Sequence, residues 1–287
     1  MKGILLTGGS GTRLWPLTKV LSKGILPVFD KPMVYYPLTT LMLMGIKEIL
    51  LISDLRSLET YRSLLADGSQ WGISISYLVQ QEPKGIAEAI TLGSDFVSAS
   101  DFALILGDNL IYGSGLGRNL LNKISNPGAL VFAFEVSNPS DYGVVTFDSD
   151  GNPEKLVEKP EYYVSNWAIP GLYIFDSTAV ERAMRITPSA RGELEIVDVL
   201  KSYLDSKQLR VEKLNRGTAW LDLGSAKSLL EAGNFVQTLQ DRQGLLIGSP
   251  DEAAWRMGWI DNAAGNIESS KNSAYTKYLD NLSKDIY

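Results

Sequence analysis

The chain has 287 residues and a formal net charge of −6, from 27 basic and 33 acidic side chains. That balance argues against a nucleic-acid partner, whose binding needs a basic surplus on one face. There is neither Cys nor His, which excludes thiolate nucleophiles, disulfides, cysteine-ligated zinc and the Ser-His-Asp triad. Any chemistry must run on carboxylates, Lys, Arg and hydroxyls. The longest apolar runs, such as residues 129–134, are strand-sized and fall short of the ~20 residues of a membrane span. The N-terminus leads directly into a glycine-rich turn without a signal-peptide pattern, so the cytoplasm is the expected compartment.

Residues 3–7 and 48–53 read as short buried strands, each followed by turn residues and then helical periodicity. Residues 74–79 and 102–106 repeat the pattern. Strands alternating with helices predict an α/β class with a mostly parallel sheet, covered by helices on both faces. From 129 to 175 the strands come closer together, at 129–136, 144–147, 155–158 and 172–175, which predicts a smaller sheet-rich lobe. From Ala226 onward, Leu229, Ala232, Val236 and Leu239 recur at three- and four-residue steps, the signature of a helix. The expected organisation is a core over 1–225, with the lobe at 129–175 inside it, followed by a helical segment over 226–287.

The first strand runs into Gly8, Gly9, Ser10, Gly11, Thr12 and Arg13, with Lys23 ten residues further on. Glycines after a first strand let backbone N–H groups approach phosphate oxygens. A dinucleotide fingerprint starting at Gly9 would need a small residue where Leu14 stands. A phosphate loop of the Walker type starting at Gly8 would need Gly-Lys where Arg13 and Leu14 stand. Both fail, which also removes a nicotinamide oxidoreductase. The remaining reading is a phosphate-binding loop that carries its own cation, Arg13, with Lys23 close by.

The segment LLTGGSGTRLWPLTKVLSKGILPVFDKPMVYYPL resembles the signature of the sugar-1-phosphate nucleotidyltransferases, and most closely their thymidylyltransferase branch. The resemblance continues through residues 67–72 (DGSQWG), 106–109 (LGDN), 141–145 (DYGVV), 157–160 (VEKP), 189–198 (SARGELEIVD) and 219–225 (AWLDLGS), so it spans nearly the whole chain. It implies a Rossmann-like core and a Mg²⁺-dependent transfer of a nucleotidyl group from dTTP to glucose 1-phosphate, with dTDP-glucose and pyrophosphate as products. UTP or another sugar 1-phosphate is the runner-up, and a non-catalytic nucleotide-sugar sensor is the rival from another class. A homotetramer is also implied.

Displacement at phosphorus depends on positioning and charge neutralisation, and an already ionised sugar phosphate needs no general base. That fits a chain without histidine. Carried over residue by residue, the resemblance assigns Arg13 and Lys23 to the triphosphate, with Asp108 as their catalytic partner. Asp108 and Asp222 are the expected Mg²⁺ ligands, hard oxygens placed after short apolar strands. Gly8, Gly9, Ser10, Gly11, Thr12, Gln80 and Gly85 are assigned to the nucleotide. A side-chain amide such as that of Gln80 offers a donor and an acceptor to a pyrimidine edge. Gly143, Glu158, Lys159, Tyr173 and Trp220 are assigned to the sugar phosphate. The charged run Arg191, Glu193, Glu195 and Asp198 is attributed to helix capping and ion pairing. Five positions depart from the branch pattern: Gly24 for Gln, Lys84 for Asp, Glu88 for Gln, Pro170 for Thr and Leu223 for Thr. Gly24 and Lys84 are expected to loosen the choice between dTTP and UTP.

Overall fold

The computed structural model describes residues 1–9, 11–113, 128–264 and 273–282. Four strands pair in parallel in the order β6-β1-β4-β5: β1 (Lys2–Leu6), β4 (Glu48–Ser53), β5 (Ser74–Val79) and β6 (Phe102–Leu106). In β1 every residue after Lys2 is buried. Ile4 and Leu6 join one apolar cluster while Leu5 joins another on the opposite face, as strand alternation requires. This two-sided burial is why the strand reads as an uninterrupted apolar run.

On one face lie α1 (Tyr35–Leu43), α2 (Leu55–Leu65) and α8 (Pro250–Arg256), which contribute Leu41, Leu58 and Ala254 to the cluster around Leu5. The other face is covered by α3 (Glu88–Leu92), α4 (Ser94–Val97), α5 (Ala179–Arg185) and α6 (Ile196–Asp205), which contribute Ile90, Val97, Ala183 and Leu200. Asp54 starts α2 by accepting from the backbone N–H groups of Arg56 and Ser57 at 3.0 and 3.1 Å, an N-cap on two otherwise unpaired donors.

The strands between residues 129 and 175 continue the same sheet. β12 (Leu172–Phe175) lies antiparallel between β6 and β8 (Ala129–Glu135), and β11 (Trp167–Ala168), β9 (Gly143–Phe147) and β10 (Pro153–Glu158) continue outward from β8. With β13 (Leu209–Lys213) parallel to β8, ten strands make one continuous sheet. Two small ribbons lie apart, β2 (Pro27–Val28) with β3 (Lys31–Pro32), and β7 (Asn109–Tyr112) with β14 (Ala219–Asp222).

The helix expected after Ala226 is α7 (Ala226–Gln243), opened by a reciprocal Ser225–Ser228 capping box and closed by Gly244 at φ 64°, a left-handed conformation glycine adopts without strain. Beyond it come α8 and α9 (Ala274–Leu282). No helix among the described residues is long and apolar enough to cross a membrane.

The last helices are fastened to the core through Asp251. Its buried carboxylate accepts from Trp71 Nε1 at 3.0 Å and from the Tyr275 hydroxyl at 2.7 Å. Replacing Asp251 with Ala strands the buried Trp71 Nε1 donor and leaves the Tyr275 hydroxyl only Ser249 Oγ as a partner, so denaturant unfolding should show a loss of about 1–3 kcal/mol. A loss within the ~0.5 kcal/mol typical of surface changes would show that this link does not hold the segment.

Candidate active site

β1 and β6 end side by side, and Gly107 N–H donates to Leu6 O at 2.8 Å just beyond their last paired residues. The glycine loop leaves β1 there and Asp108 follows β6, at the carboxyl edge where open α/β sheets hold ligands. A cleft of about 330 Å³ opens at this edge. It gathers Gly8, Gly9, Arg13, Lys23, Asp108 and Asp222 with Gly143, Glu158, Lys159, Tyr173 and Trp220.

The Lys23 ammonium pairs with Asp108 Oδ2. Asp108 Oδ1 accepts from Asn109 Nδ2 at 2.9 Å, and Asn109 Oδ1 in turn accepts from Gly171 N–H and from Trp220 Nε1 at 3.0 and 2.6 Å. Asn109 therefore locks Asp108 to the opposite wall of the cleft. Asp222, at the end of β14, stands next to it: Leu223 N–H donates to Asp108 O at 2.9 Å. Burial, and next the charge of Asp108, push the Asp222 carboxyl up to about 6; Lys23 and Arg13 act in the other direction. The Arg13 guanidinium lies against Gly224, where an added Cβ would come within 2.8 Å of both Arg13 Nη2 and Asp222 Oδ2.

Two half-buried carboxylates that repel each other, with hard oxygen donors and an open cleft before them, fit a divalent cation that keeps positions for water and phosphate. Among the described residues there is no cluster of three or more acidic groups that could hold a metal. Asp108 and Asp222 are the pair that would hold one, with substrate oxygens completing the shell.

The residues expected to meet the sugar phosphate line the far wall. Glu158 closes β10 opposite Gly143, and a Cβ on Gly143 would lie 3.0 Å from Glu158 Oε2, so glycine leaves that carboxylate its space. Burial, and next Glu195, raise the Glu158 carboxyl above its usual range. Tyr173 is a core residue stacked on Phe175 that shows one edge to the cleft. Trp220 packs on Tyr142 with ring centroids 4.9 Å apart.

The charged run does more than the sequence indicates. Arg191 Nη2 pairs with both Glu195 oxygens at 2.9 Å and reaches Glu158 at 3.4 Å. Arg191, Glu193 and Glu195 all line the cleft, and Glu195 makes no side-chain capping bond to α6. Ion pairing is therefore present, but capping by Glu195 is not. Asn109 and Tyr142 were also missed, though both sit inside quoted motifs, beside Asp108 and Gly143.

The remaining nucleotide residues are dispersed. Gln80 and Gly11 line a second cleft that shares Gly9 and Lys23 with the first. Thr12 is exposed at the start of a 3₁₀ turn and lines neither cleft. Gly85, at φ 117°, packs so closely on Leu194 that a Cβ would come within 2.4 Å of its carbonyl oxygen. Ser10 lies outside the described residues.

The two departures expected to loosen the site do not open it. Lys84 is exposed and pairs with Glu82 at 3.1 Å. Gly24 lies outside the left-handed region, and the space a side chain would take there is filled: a Cβ would fall 2.3 Å from the Tyr61 hydroxyl. That hydroxyl, on the buried Tyr61 of α2, bonds Ser22 Oγ at 2.8 Å and anchors the turn that carries Lys23. Leu223 is a fully buried core residue.

Gly24→Ala should therefore cost about 1–3 kcal/mol of stability by overpacking. In a Tyr61→Phe background, where the nearest ring atom is 3.2 Å away, that cost should fall by at least half. Strict additivity in the double-mutant cycle would refute the coupling.

The family profile described as nucleotidyl transferase matches residues 2–238. A glucose-1-phosphate thymidylyltransferase of Mycolicibacterium smegmatis is 50% identical over 281 residues, covering 97% of this chain and 98% of that protein. A solved Bacillus anthracis protein assigned as a glucose-1-phosphate thymidylyltransferase, in complex with sucrose, superposes with a TM-score of 0.76 at 34% identity, over 82% of this chain and 94% of that one. UDP-glucose pyrophosphorylase complexed with UDP-glucose gives a TM-score of 0.72 at 27% identity, over 83% and 98%. The chain belongs to the nucleotidyl transferase family, on the branch of the glucose-1-phosphate thymidylyltransferases, and is a nucleotidyltransferase enzyme.

Proposed function

We propose that the enzyme transfers a thymidylyl group from dTTP to glucose 1-phosphate, giving dTDP-glucose and pyrophosphate. The observation that best supports this is the single cleft with Asp108, Asp222, Arg13 and Lys23 on one wall and Glu158 and Lys159 on the other. In this reading a phosphate oxygen of the sugar 1-phosphate attacks the α-phosphorus in line. The new P–O bond forms as the α–β bridging bond breaks, and the electron pair leaves on pyrophosphate. Arg13, Lys23 and the loop glycines hold the triphosphate, while Lys159 holds the attacking phosphate and Glu158 accepts from sugar hydroxyls.

A divalent ion, which we propose to be Mg²⁺, would supply Lewis acidity and a template at the α-phosphate when bound by Asp108 and Asp222. Gln80 and Gly85 serve the base in this scheme. The resemblance further supports a homotetramer. UTP in place of dTTP is the second reading, favoured by the likeness to UDP-glucose pyrophosphorylase; the two bases differ by one methyl, worth only ~1–3 kcal/mol.

Pyrophosphate release measured over a panel of triphosphates and sugar 1-phosphates tests the assignment, with dTTP and glucose 1-phosphate expected to give the highest kcat/KM. Asp108→Asn and Asp222→Asn should each lower kcat by at least ~100-fold with little change in thermal stability. Their combined effect should fall short of the product of the two, because they act on one ion. Near-normal turnover of either variant at saturating Mg²⁺ removes it from the metal site.

Lys159→Ala should raise KM chiefly for the sugar phosphate, and Arg13→Ala chiefly for the triphosphate. The opposite pattern would reverse the assignment of the two walls.

A further inference from the structure

Asn109 follows Asp108 in the chain, opens β7 and is the ladder partner of Asp222 on β14. Its side chain is buried and both ends of the amide are engaged. Oδ1 accepts from Gly171 N–H at 3.0 Å and from Trp220 Nε1 at 2.6 Å, while Nδ2 donates to Asp108 Oδ1 at 2.9 Å. A Cβ on Gly171 would come within 3.0 Å of the amide carbon, so glycine leaves the amide its seat.

The direction of this amide is fixed by its partners. A backbone N–H and an indole N–H can only donate, so the end that meets them must be the oxygen. Turned over, the amide would set its NH2 against those donors and its oxygen against the Asp108 carboxylate, a mismatch at every contact in a buried place. Asp108 is therefore held through Oδ1, toward the buried amide, and Oδ2 is the oxygen turned to the Lys23 ammonium at the cleft. The spacing to Asp222 is constrained as well. The β7–β14 ladder runs up to Asn109 and Asp222, and Leu223 N–H donates to Asp108 O at 2.9 Å.

We propose that Asn109 is a positioning residue that makes the metal site select a small octahedral ion, Mg²⁺, over the larger Ca²⁺, by presenting Asp108 through one oxygen. Mg²⁺ demands octahedral geometry at ~2.0–2.1 Å, is bound through one or two carboxylates and keeps several waters. Ca²⁺ takes ~6–8 oxygens at ~2.3–2.6 Å and readily uses both oxygens of a carboxylate. Chelation by Asp108 would require its carboxylate to turn until both oxygens face the ion. That turn breaks the bond from Asn109 Nδ2 and leaves a buried donor unpaired. The ribbon keeps Asp222 from moving outward to make room. The inference rests on the proposed placement of the ion at Asp108 and Asp222.

The test reads metal binding directly. Mn²⁺ is bound to the enzyme with dTTP and without sugar phosphate, followed by electron paramagnetic resonance, and displaced with Mg²⁺ or Ca²⁺. The contribution of dTTP itself is the same for every variant and cancels in the comparison. The wild-type enzyme should need ~10-fold less Mg²⁺ than Ca²⁺. Asn109→Ala should weaken Mg²⁺ by ~10–100-fold, the usual cost of losing a partner behind a metal ligand, while Ca²⁺ changes by less than ~3-fold. Trp220→Phe removes one donor from Oδ1 but leaves Asn109 in place, and should shift the ratio in the same direction by ~3-fold. If Asn109→Ala does not melt cooperatively, Trp220→Phe carries the test alone. Parallel weakening of both ions, or an unchanged ratio, in the deciding variant overturns the proposal and leaves the metal site itself standing. Failure of the wild-type enzyme to bind Mn²⁺ overturns it together with the metal assignment. Selection of Mg²⁺ without pyrophosphate release would uphold it and defeat the transfer reaction instead.

Discussion

The parallel pairing of β1 with β6 is the constraint on which the rest of the site depends. Their register, from Lys2 with Phe102 to Leu6 with Leu106, brings the glycine loop and Asp108 out of the sheet at the same level. Gly107 keeps the exit tight, since a side chain there would meet Thr7 at 2.7 Å. Everything charged is assembled around that exit. Lys23 reaches back to Asp108, β14 delivers Asp222 beside it, and Asn109 ties the acid to the wall that carries Trp220. Two like charges in a half-buried setting are unfavourable alone, and the neighbouring cations offset only part of the cost, as the raised Asp222 carboxyl records. An arrangement that tolerates such repulsion is ready for a cation between the two carboxylates.

The sequence reveals those parts of this architecture whose physics is local. Buried parallel strands read as apolar runs, so residues 48–53 and 102–106 could be read directly as β4 and β6, while 74–79 alternates as the edge strand β5. Asp108 was recognisable through the LGDN motif that follows such a strand, as a residue the resemblance carries over. Contacts between distant segments were not legible. Gly24 reads as added freedom until Tyr61, on another element, is seen to fill the space. Glu88 reads only as a departure from the branch pattern, because nothing local shows that Gln80 donates to it. The run from Arg191 to Glu195 looks like ordinary helix-end charge, since only the fold brings β10 and Glu158 next to it.

The same distinction explains why substitutions in the opening motif are uneven in meaning. Arg13 and Lys23 bring positive charge to the cleft, and that much follows from residue type. Gly8, Gly24 and Gly143 act through what they leave open, for Gln80, Tyr61 and Glu158 respectively. A glycine of this kind is one half of a pair. Its significance is lost when the partner is not considered.

Strand β12 is hydrogen-bonded to β6 on one side and to β8 on the other, so the half that carries the loop and the half that carries Glu158 and Lys159 belong to one sheet. The separation between the two walls of the cleft is therefore set by ladder spacing, with no hinge between them among the strands described. In the proposed reaction, alignment of attacking oxygen, phosphorus and leaving group would then depend on the backbone more than on the side chains that line either wall. Pocket walls on either half can then diverge in evolution without disturbing the line of attack, and one scaffold can supply many activated sugars.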